Sequence, residues 1–447
     1  MNAEAILKRV ADAGVVGAGG AGFPTHVKLK GRAEWLIANG AECEPLLYAD
    51  QALMERHAEE LIRGLALARE ATGAKRVVIA LKDKYATARA ALAEPAARAG
   101  IELFPLNDFY PAGDEQVIVQ QVTGRVVPAG GIPLDVGVVV QNVETLVNVA
   151  GAVDHGRPVT MKYLTVGGAV RNPVSVAVPV GVPVELLVEL AGGPTVDDYV
   201  IMVGGVLMGH LAEPGEVVTK RTGGVIVLPR DLRWVERLMH PEEVNIRQTS
   251  VCIQCHFCTE LCPRYLLGHH IMPHKAMLHT NYGLDDPTVL MGAYLCCECG
   301  LCEAFSCPEL LMPRQAVIRI KKELSGQGIR YQKGATPERS VHPFQRERMV
   351  ASQRVKERLG VAQYDRKAPL VETALSVSEV RIPLLQHIGA PAEPVVSAGD
   401  RVTAGQLIGR PPEGKLGAAV HASVSGTVVE ITGQAIRIAC ATEPGGE

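Results

Sequence analysis

Residues 17–28 read GAGGAGFPTHVK, and the fold of the first third of the chain turns on this stretch. Gly17, Gly19 and Gly22 satisfy G-x-G-x-x-G, and Glu42 follows at about the distance of a ribose-binding acid. A dinucleotide fingerprint, however, needs a strand before it and a helix opening from its last glycine, so that the helix amides face the pyrophosphate. Here Pro24 comes directly after Phe23, and Gly31 leaves no room for a packing helix. What precedes the loop is NAEAILKRVADAG, an amphipathic helix with Ile6, Leu7 and Val10 on one face and Gly14 as its stop. The glycines imply a backbone that a ligand approaches closely; a purely structural turn is the alternative. The stretch therefore reads as a phosphate-holding loop that is not a standard dinucleotide turn.

Working outward, residues 35–152 alternate between strand and helix patterns. AEWLIANG, AKRVVIALK, IELFPL and GVVVQN read as strands, with one long helical pattern from Asp50 to Gly73 and another from Asp83 to Gly100. That alternation implies an α/β layer with a mainly parallel sheet. From Lys162 to Asp231 the β-branched runs, the Gly-Gly and Asn-Pro turns and one short helix predict a small α+β domain. Residues 326–377 are charged and weakly periodic and read as a linker wrapping the surface. The tail from Val380 onward is short strands and glycine turns, a small barrel or sandwich. The expected units are thus 1–155, 160–232, 245–325, a linker at 326–377, and 378–443.

Two cysteine runs carry the most specific chemistry. CIQCHFCTELCP places Cys252, Cys255, Cys258 and Cys262 as C-x2-C-x2-C-x3-C-P. CCECGLCEAFSCP places Cys296, Cys299, Cys302 and Cys307 with one extra residue before the last cysteine. Three thiolates at two-residue gaps cap three irons of a cubane, and the fourth cysteine, beside proline, reaches the other cluster. Cys252, Cys255, Cys258 and Cys307 are therefore assigned to one 4Fe–4S cluster, and Cys296, Cys299, Cys302 and Cys262 to a second. Paired zinc knuckles are the alternative, but they need neither the third cysteine of each run nor the trailing Cys-Pro. Cys297 reads as a spectator, Cys43 and Cys440 as buried thiols. His269, His270, His274 and His279 read as a solvated helical connector, with His270 and His274 spaced to bind metal if that segment is helical.

Composition narrows the partners. The 447 residues carry 45 Lys and Arg against 48 Asp and Glu, and aromatics are only 4%, so neither a phosphate-tracking groove nor a base-stacking platform is expected. Nucleic acid is excluded as a partner. Lys8, Arg9 and Asp12 interrupt any apolar leader, and no apolar run is long enough for a transmembrane segment. Eight of the 11 cysteines fall in the two runs, which points to metal in a reducing, cytoplasmic compartment.

The glycine loop, together with NGAECEP, YPAGDE and QNVETLVN, resembles the FMN-binding domain of the complex I 51-kDa subunit, and more closely the Rnf-complex C subunit. In that family the loop reads G-R-G-G-A-G-F-P-T-x-x-K and binds FMN. The resemblance implies loop contacts from Gly17, Gly19, Gly20, Gly22 and Lys28, with Asn39 and Glu42 near the isoalloxazine and Asn142 and Thr145 on the phosphate. Tyr110, Asp114 and Glu115 match the family's Y-x-x-G-E-E segment. Phe23 and Glu44 match positions that meet NADH, Glu44 at the nicotinamide ribose and Phe23 on the adenine. Ala18, Ala41 and Asp114 depart from an arginine, an aspartate and a glutamate, and these departures bear on NADH more than on FMN. VGGAVRNPVSVAVPVGVP resembles the β-grasp SLBB domain, and the tail resembles the Rnf C-subunit barrel-sandwich hybrid domain, without a lysine at HASVSGTV to carry a swinging arm.

The expected fold is thus multidomain α/β and α+β: FMN-binding α/β domain, β-grasp, α-helical dicluster ferredoxin domain and all-β barrel-sandwich. That order is similar to the cobalamin reductases of propanediol-utilization microcompartments. The resemblance implies an oxidoreductase passing electrons from NADH through FMN and two 4Fe–4S clusters to cob(II)alamin. Its implied partners are an adenosyltransferase and microcompartment shell proteins. The other readings are a peripheral, RnfC-like electron-input subunit of a membrane complex and an electron-transfer adaptor without flavin.

Overall fold

A computed structural model describes residues 1–241, 251–283, 286–373 and 375–440. The expected start of the cysteine domain at 245 and the last residues of the tail domain, 441–443, lie outside the described residues.

The first helix, α1 (Ala3–Asp12), begins where Asn2 accepts the Ala5 N–H at 2.9 Å, and its chain reverses at Gly14 with φ +64°. After the glycine loop comes only a four-residue helix, α2 (Thr25–Lys28), as Pro24 and Gly31 predict. Strands β1 (Trp35–Gly40), β2 (Arg76–Lys82) and β3 (Glu102–Leu106), then the short β4 (Phe109–Tyr110) and β5 (Val138–Asn142), follow in order. β1, β2, β3 and β5 form one parallel sheet in the order β3-β2-β1-β5. Between them run α3 (Ala49–Arg56), α4 (Ala58–Thr72), α5 (Ala86–Ala99) and α6 (Glu115–Thr123), with α7 (Val143–His155) after β5. The single helix expected from Asp50 to Gly73 is two helices that break at His57, whose φ of −120° is not helical.

Alternation along the strands explains the sheet's burial. Leu36 and Ala38 of β1, with Ile79 and Leu81 of β2, face one core under α1, α4 and α7. Trp35 and Ile37, with Val78 and Ala80, face a second core under α6. Both faces are covered, which is the condition for a parallel sheet. Gly64 of α4 lets α7 approach, since a Cβ there would stand 1.9 Å from the Leu146 carbonyl oxygen. The strand order reverses between β1 and β5, so a crevice opens outside their carboxyl ends, where ligands of open α/β sheets bind.

The second unit is a six-stranded mixed sheet with one helix, Val184–Leu190. Its edge strand, Leu370–Val371, comes from the region expected to be linker and pairs in parallel with Val174–Pro179. The same region contributes the strand Val350–Ala351, antiparallel to β4, and the helix Ser352–Leu359. It is therefore built into two sheets. Its elements are too short to leave a periodic signature, which is why the sequence read as linker. The tail forms a four-stranded and a three-stranded sheet, and its Val380, Ile382 and Ile438 share one core with Leu164, Val176 and Val182 of the second unit.

A single buried lysine ties three units together. Lys220 Nζ donates to the Gly14 carbonyl at 2.7 Å and to the Ala419 carbonyl at 2.9 Å. Burial without a carboxylate partner pushes its pKa down to about 7. The unfolded chain keeps that proton up to about pH 10, so the unfolded state binds more protons between the two values and stability rises with pH across that window. Lys220→Met removes this term. The wild-type advantage in melting temperature over the variant should therefore widen from about pH 7 to about pH 10. Parallel melting curves for the two proteins across that range would show that Lys220 carries no such linkage.

Candidate functional site

The expected site residues gather at the carboxyl ends of β1 and β5. The glycine loop closes on itself, with Gly17 N donating to the Phe23 carbonyl at 2.9 Å and Gly22 N to the Gly17 carbonyl at 3.1 Å. It leans on α7: Thr145 Oγ1 accepts the Ala18 N–H at 2.9 Å, and a Cβ on Gly19 would meet Asn142 Nδ2 at 3.3 Å. Asn142 caps α7 by accepting the Glu144 and Thr145 N–H groups, and its Nδ2 donates to Asp50 Oδ2 at 2.8 Å. Asn142 and Thr145, expected on a phosphate, here cap a helix and hold the loop. The groups left outward are backbone: Gly20 has φ +104° and open space where a side chain would go.

From Asp50 the network passes to a cleft of about 200 Å3 between the 42–48 loop, the end of β2 and the helix Ser352–Leu359. Glu42, at φ +34°, accepts the Asp50 N–H at 2.8 Å and the Gln51 N–H at 3.0 Å, which caps α3. Burial pushes Glu42 up to about 8 and Asp50 adds to this, while the two amides and Lys82 only partly offset it. Asn39 bridges to the 110–115 turn through Nδ2 and the Gly113 carbonyl, 2.9 Å apart. Tyr48 donates to Asp365 Oδ1 at 2.7 Å, and Lys356 pairs with the same aspartate. Neither Lys356 nor Asp365 was legible as a site residue, because both lie in the region read as linker. Lys82 was missed too, although a lysine ending the apolar run VVIALK was a usable signal; it is buried and pairs with Asp108 at 2.8 Å.

Glu44 is the junction of the whole assembly. Its carboxylate accepts the Leu207 N–H at 2.9 Å, the Met208 N–H at 3.1 Å and the Tyr110 hydroxyl at 3.0 Å. Gly205 is required beside it, since a Cβ there would stand 2.5 Å from Glu44 Oε2. Both carboxylate oxygens are thus committed to the protein, which leaves Glu44 lining the cleft as a structural acceptor rather than as a ready ribose contact. Tyr110 is buried, and its hydroxyl also lies 2.5 Å from the Cys299 carbonyl oxygen. Asp114 caps α6 and pairs with Arg264 of the cysteine region at 2.7 Å, while Lys28 pairs with Glu115 at 2.5 Å. Phe23 is half-buried at the loop's end.

The cysteine runs repeat one backbone pattern. Gln254 and His256 take φ +51° and +67°, and Glu298 and Gly300, at the matching places in the second run, take +58° and +77°. The match pairs Cys296, not Cys297, with Cys252. The extra residue before Cys307 is absorbed by a π-helical turn, Cys302–Ser306, closed by the Cys307 N–H on the Cys302 carbonyl at 3.1 Å. The first run makes an ordinary helical turn, Phe257–Glu260, at that place. Cys252, Cys255, Cys258 and Cys307 line one cavity of about 20 Å3. Burial pushes the Cys258 thiol up to about 12, with Cys307, Cys255 and Cys252 adding to it. Cys262 is raised by burial and then by Cys296, and Cys302 by burial, then Glu303, Cys296, Cys258 and Cys262. Cys307 thus lines the cavity of the first run's cysteines, and Cys262 lies close enough to Cys296 and Cys302 to act on them electrostatically. The donors suit cubane clusters: four thiols surround a space, and N–H groups approach sulfur, as at Glu298 N to Cys296 Sγ and Leu311 N to Cys307 Sγ, both 3.3 Å.

The isolated groups depart from expectation. His269, His270 and His274 are buried rather than solvated, and the helix Pro273–Tyr282 starts after His270, so the i,i+4 pair does not share a helix. His274 stacks on His256 at 4.0 Å and bonds to Thr259 Oγ1 at 2.7 Å. Cys43 and Cys440 are only partly buried.

Glu44→Ala removes the acceptor of the Leu207 and Met208 amides and one of the two oxygens beside the Tyr110 hydroxyl, at roughly 1–3 kcal/mol for a buried donor left unmet. Its melting temperature should fall by several degrees, whereas Glu44→Gln, which keeps an acceptor, falls less. An unchanged melt in Glu44→Ala would show that the junction carries no stability.

Comparison with known proteins finds four domain families in one order along the chain. Residues 10–151 match the Nuo51 FMN-binding domain, 163–211 the SLBB domain, 251–312 a 4Fe-4S dicluster domain and 359–442 the RnfC barrel sandwich hybrid domain. The chain is 44% identical to cobalamin reductase PduS of Salmonella typhimurium over 98% of its own length and 97% of that protein. It is 36% identical to the C subunit of the Na(+)-translocating ferredoxin:NAD(+) oxidoreductase complex of Acetobacterium woodii, over 60% of its length and 59% of that protein. Among solved structures, an NAD+-reducing NiFe hydrogenase in the H2-reduced state aligns with 74% of this chain and 64% of its own, at 25% identity and TM-score 0.49. With a flavin-type loop, a β-grasp domain, paired cysteine runs and a barrel-sandwich in one shared order, the chain belongs to the PduS cobalamin reductase family.

Proposed function

We propose that the protein is an NADH-dependent flavo-iron–sulfur reductase that delivers single electrons to cob(II)alamin. The observation that carries this reading is the Tyr110 bridge, which lines the cleft on one side and touches the Cys299 carbonyl on the other. FMN, when bound, takes two electrons as hydride and releases them singly, and each 4Fe–4S cluster carries one, so one NADH serves two one-electron acceptors.

The chain's own residues supply position and polarity. The backbone of Gly19 to Ala21 is open to a phosphate, and Glu42, protonated below about pH 8, can hold a proton beside the cleft. Cys299 adjoins the cleft through Tyr110, and Cys262, Cys296 and Cys302 complete its proposed cluster. The cavity of the other cysteine set lies at the surface, beside exposed Cys255, Ile253 and Phe257. That asymmetry supports entry at the cleft and exit at Cys255. The full-length match favours the reductase over an RnfC-like subunit, whose match covers 60% of the chain. No helix among the described residues is long and apolar enough to cross a membrane. An adenosyltransferase and the shell of a microcompartment belong to the same proposal, as partner and location.

Anaerobically purified protein should carry about eight iron and eight sulfide per chain. Cys302→Ala should lose about half the iron, whereas Cys297→Ala keeps it; loss in Cys297→Ala with retention in Cys296→Ala would overturn the ligand register.

NADH should bleach the flavin absorbance first and the cluster absorbance afterwards, and with an adenosyltransferase present the reduced protein should support adenosylcobalamin formation. Bleaching without cobalamin turnover would favour the RnfC-like reading. A wild-type protein that purifies without flavin would favour the adaptor.

A further inference from the structure

The glycine loop lacks the cation that its family carries. Ala18 stands in the arginine position, its methyl is buried, and its N–H is taken by Thr145. Lys28, the other expected cation, is paired with Glu115 at 2.5 Å. Yet the outer turn presents three successive backbone N–H groups, of Gly19, Gly20 and Ala21, which donate to no protein acceptor among the described residues. Such a run of amides concentrates partial positive charge on one spot.

One side chain from another domain completes it. Arg221, in the β-grasp turn TKRTGG, donates from Nε to the Gly20 carbonyl at 2.7 Å. Its stem lies on Gly22, where a Cβ would stand 2.8 Å from Arg221 Cδ, so only glycine admits it. Its backbone is fixed on both sides. Lys220 is anchored inward on Gly14 and Ala419, and the turn is closed by the Thr222 N–H on the Thr219 carbonyl at 3.2 Å and the Arg221 N–H on Thr219 Oγ1 at 3.2 Å. The side chain is exposed, no carboxylate pairs with it among the described residues, and its terminal nitrogens donate to no protein group there. A guanidinium fork with free terminal N–H groups suits a phosphate. Arg221 also lies outside both matched spans, 10–151 and 163–211.

The geometry points to Arg221 as the cation of the glycine loop: supplied by the β-grasp domain, it joins the N–H groups of Gly19, Gly20 and Ala21 in holding a phosphate ester of a bound nucleotide. This rests on the reading of the loop as a nucleotide site and adds a residue from a second domain to it. The β-grasp domain then contributes to ligand binding as well as to the junction at Glu44.

The test measures dissociation constants of FMN, riboflavin and ADP-ribose for the wild-type protein, Arg221→Gln and Arg221→Lys, with cluster absorbance as the control for folding. If the phosphate is that of FMN, Arg221→Gln should weaken FMN about tenfold, the scale of one lost charge-assisted contact, and leave riboflavin unchanged. If it is the pyrophosphate of a dinucleotide, ADP-ribose weakens instead and FMN does not. Arg221→Lys should retain part of the affinity in either case, with a steeper loss as salt rises. Equal weakening of FMN and riboflavin, or no weakening of either phosphate ligand, would overturn the assignment. A wild-type protein that binds ADP-ribose but no flavin would sink the flavin reading alone, since the ADP-ribose arm still decides the role of Arg221. Binding of none of the three would sink both.

Discussion

The arrangement depends on the carboxylate of Glu44. It is a charge drawn out of water, and burial raises its pKa, opposed by hydrogen bonds from Leu207, Tyr110 and Met208. Those donors come from two domains, so satisfying one carboxylate docks the β-grasp loop against the α/β layer. The same loop is then held from its far side. Arg314 donates to the Leu207 carbonyl at 2.6 Å and pairs with the buried Glu303 at 2.6 Å, while Trp234 Nε1 donates to the Val206 carbonyl at 2.9 Å. A buried polar group that loses its partner costs more than its bond contributed, so this chain of contacts resists piecemeal change.

From that junction the positions of the redox elements follow. Tyr110 can touch Cys299 only because β4 is pinned by Val350–Ala351 on one side and Glu44 on the other. Arg264 crosses from the cysteine region to Asp114 at the start of α6, so the two halves of the site are also joined by an ion pair that is largely buried. Within the cysteine region, left-handed residues after the first and second cysteines of each run turn the chain around a central space. The π-turn at Cys302–Ser306 lets a run with one more residue still bring its last cysteine to the opposite set.

The outer domains act in the same way, by tying rather than by adding surface. Lys220 reaches inward to bind Gly14 and Ala419, and its neighbour Arg221 faces outward over the glycine loop. The Ile388 N–H of the barrel-sandwich tail donates to the Gly22 carbonyl at 2.9 Å. A loop of glycines, flexible when free, is therefore held by three domains. That order reduces the conformational entropy a ligand would otherwise remove on binding.

The cysteine spacing, the rejection of a dinucleotide turn at Pro24 and the parallel α/β alternation were legible from residues alone, because each rests on local geometry: thiolate reach, the fixed φ of proline, and strand period. The trailing Cys-Pro also pointed to Cys307, which lines the cavity of Cys252, Cys255 and Cys258. The roles of Glu44, Asn142 and Thr145 were not, since a side chain's partner depends on which distant donors fold beside it. Lys356, Asp365, Arg264 and Arg221 were missed for the same reason: each lies more than a hundred residues from the cleft or loop residues it serves. Sequence by itself determined the fold class and the flavin and iron–sulfur chemistry of this protein. Only the tertiary structure decided which polar groups are spent holding domains together and which stay open to a ligand, because desolvation and hydrogen-bond pairing are set by contacts between segments and not by neighbours in the chain.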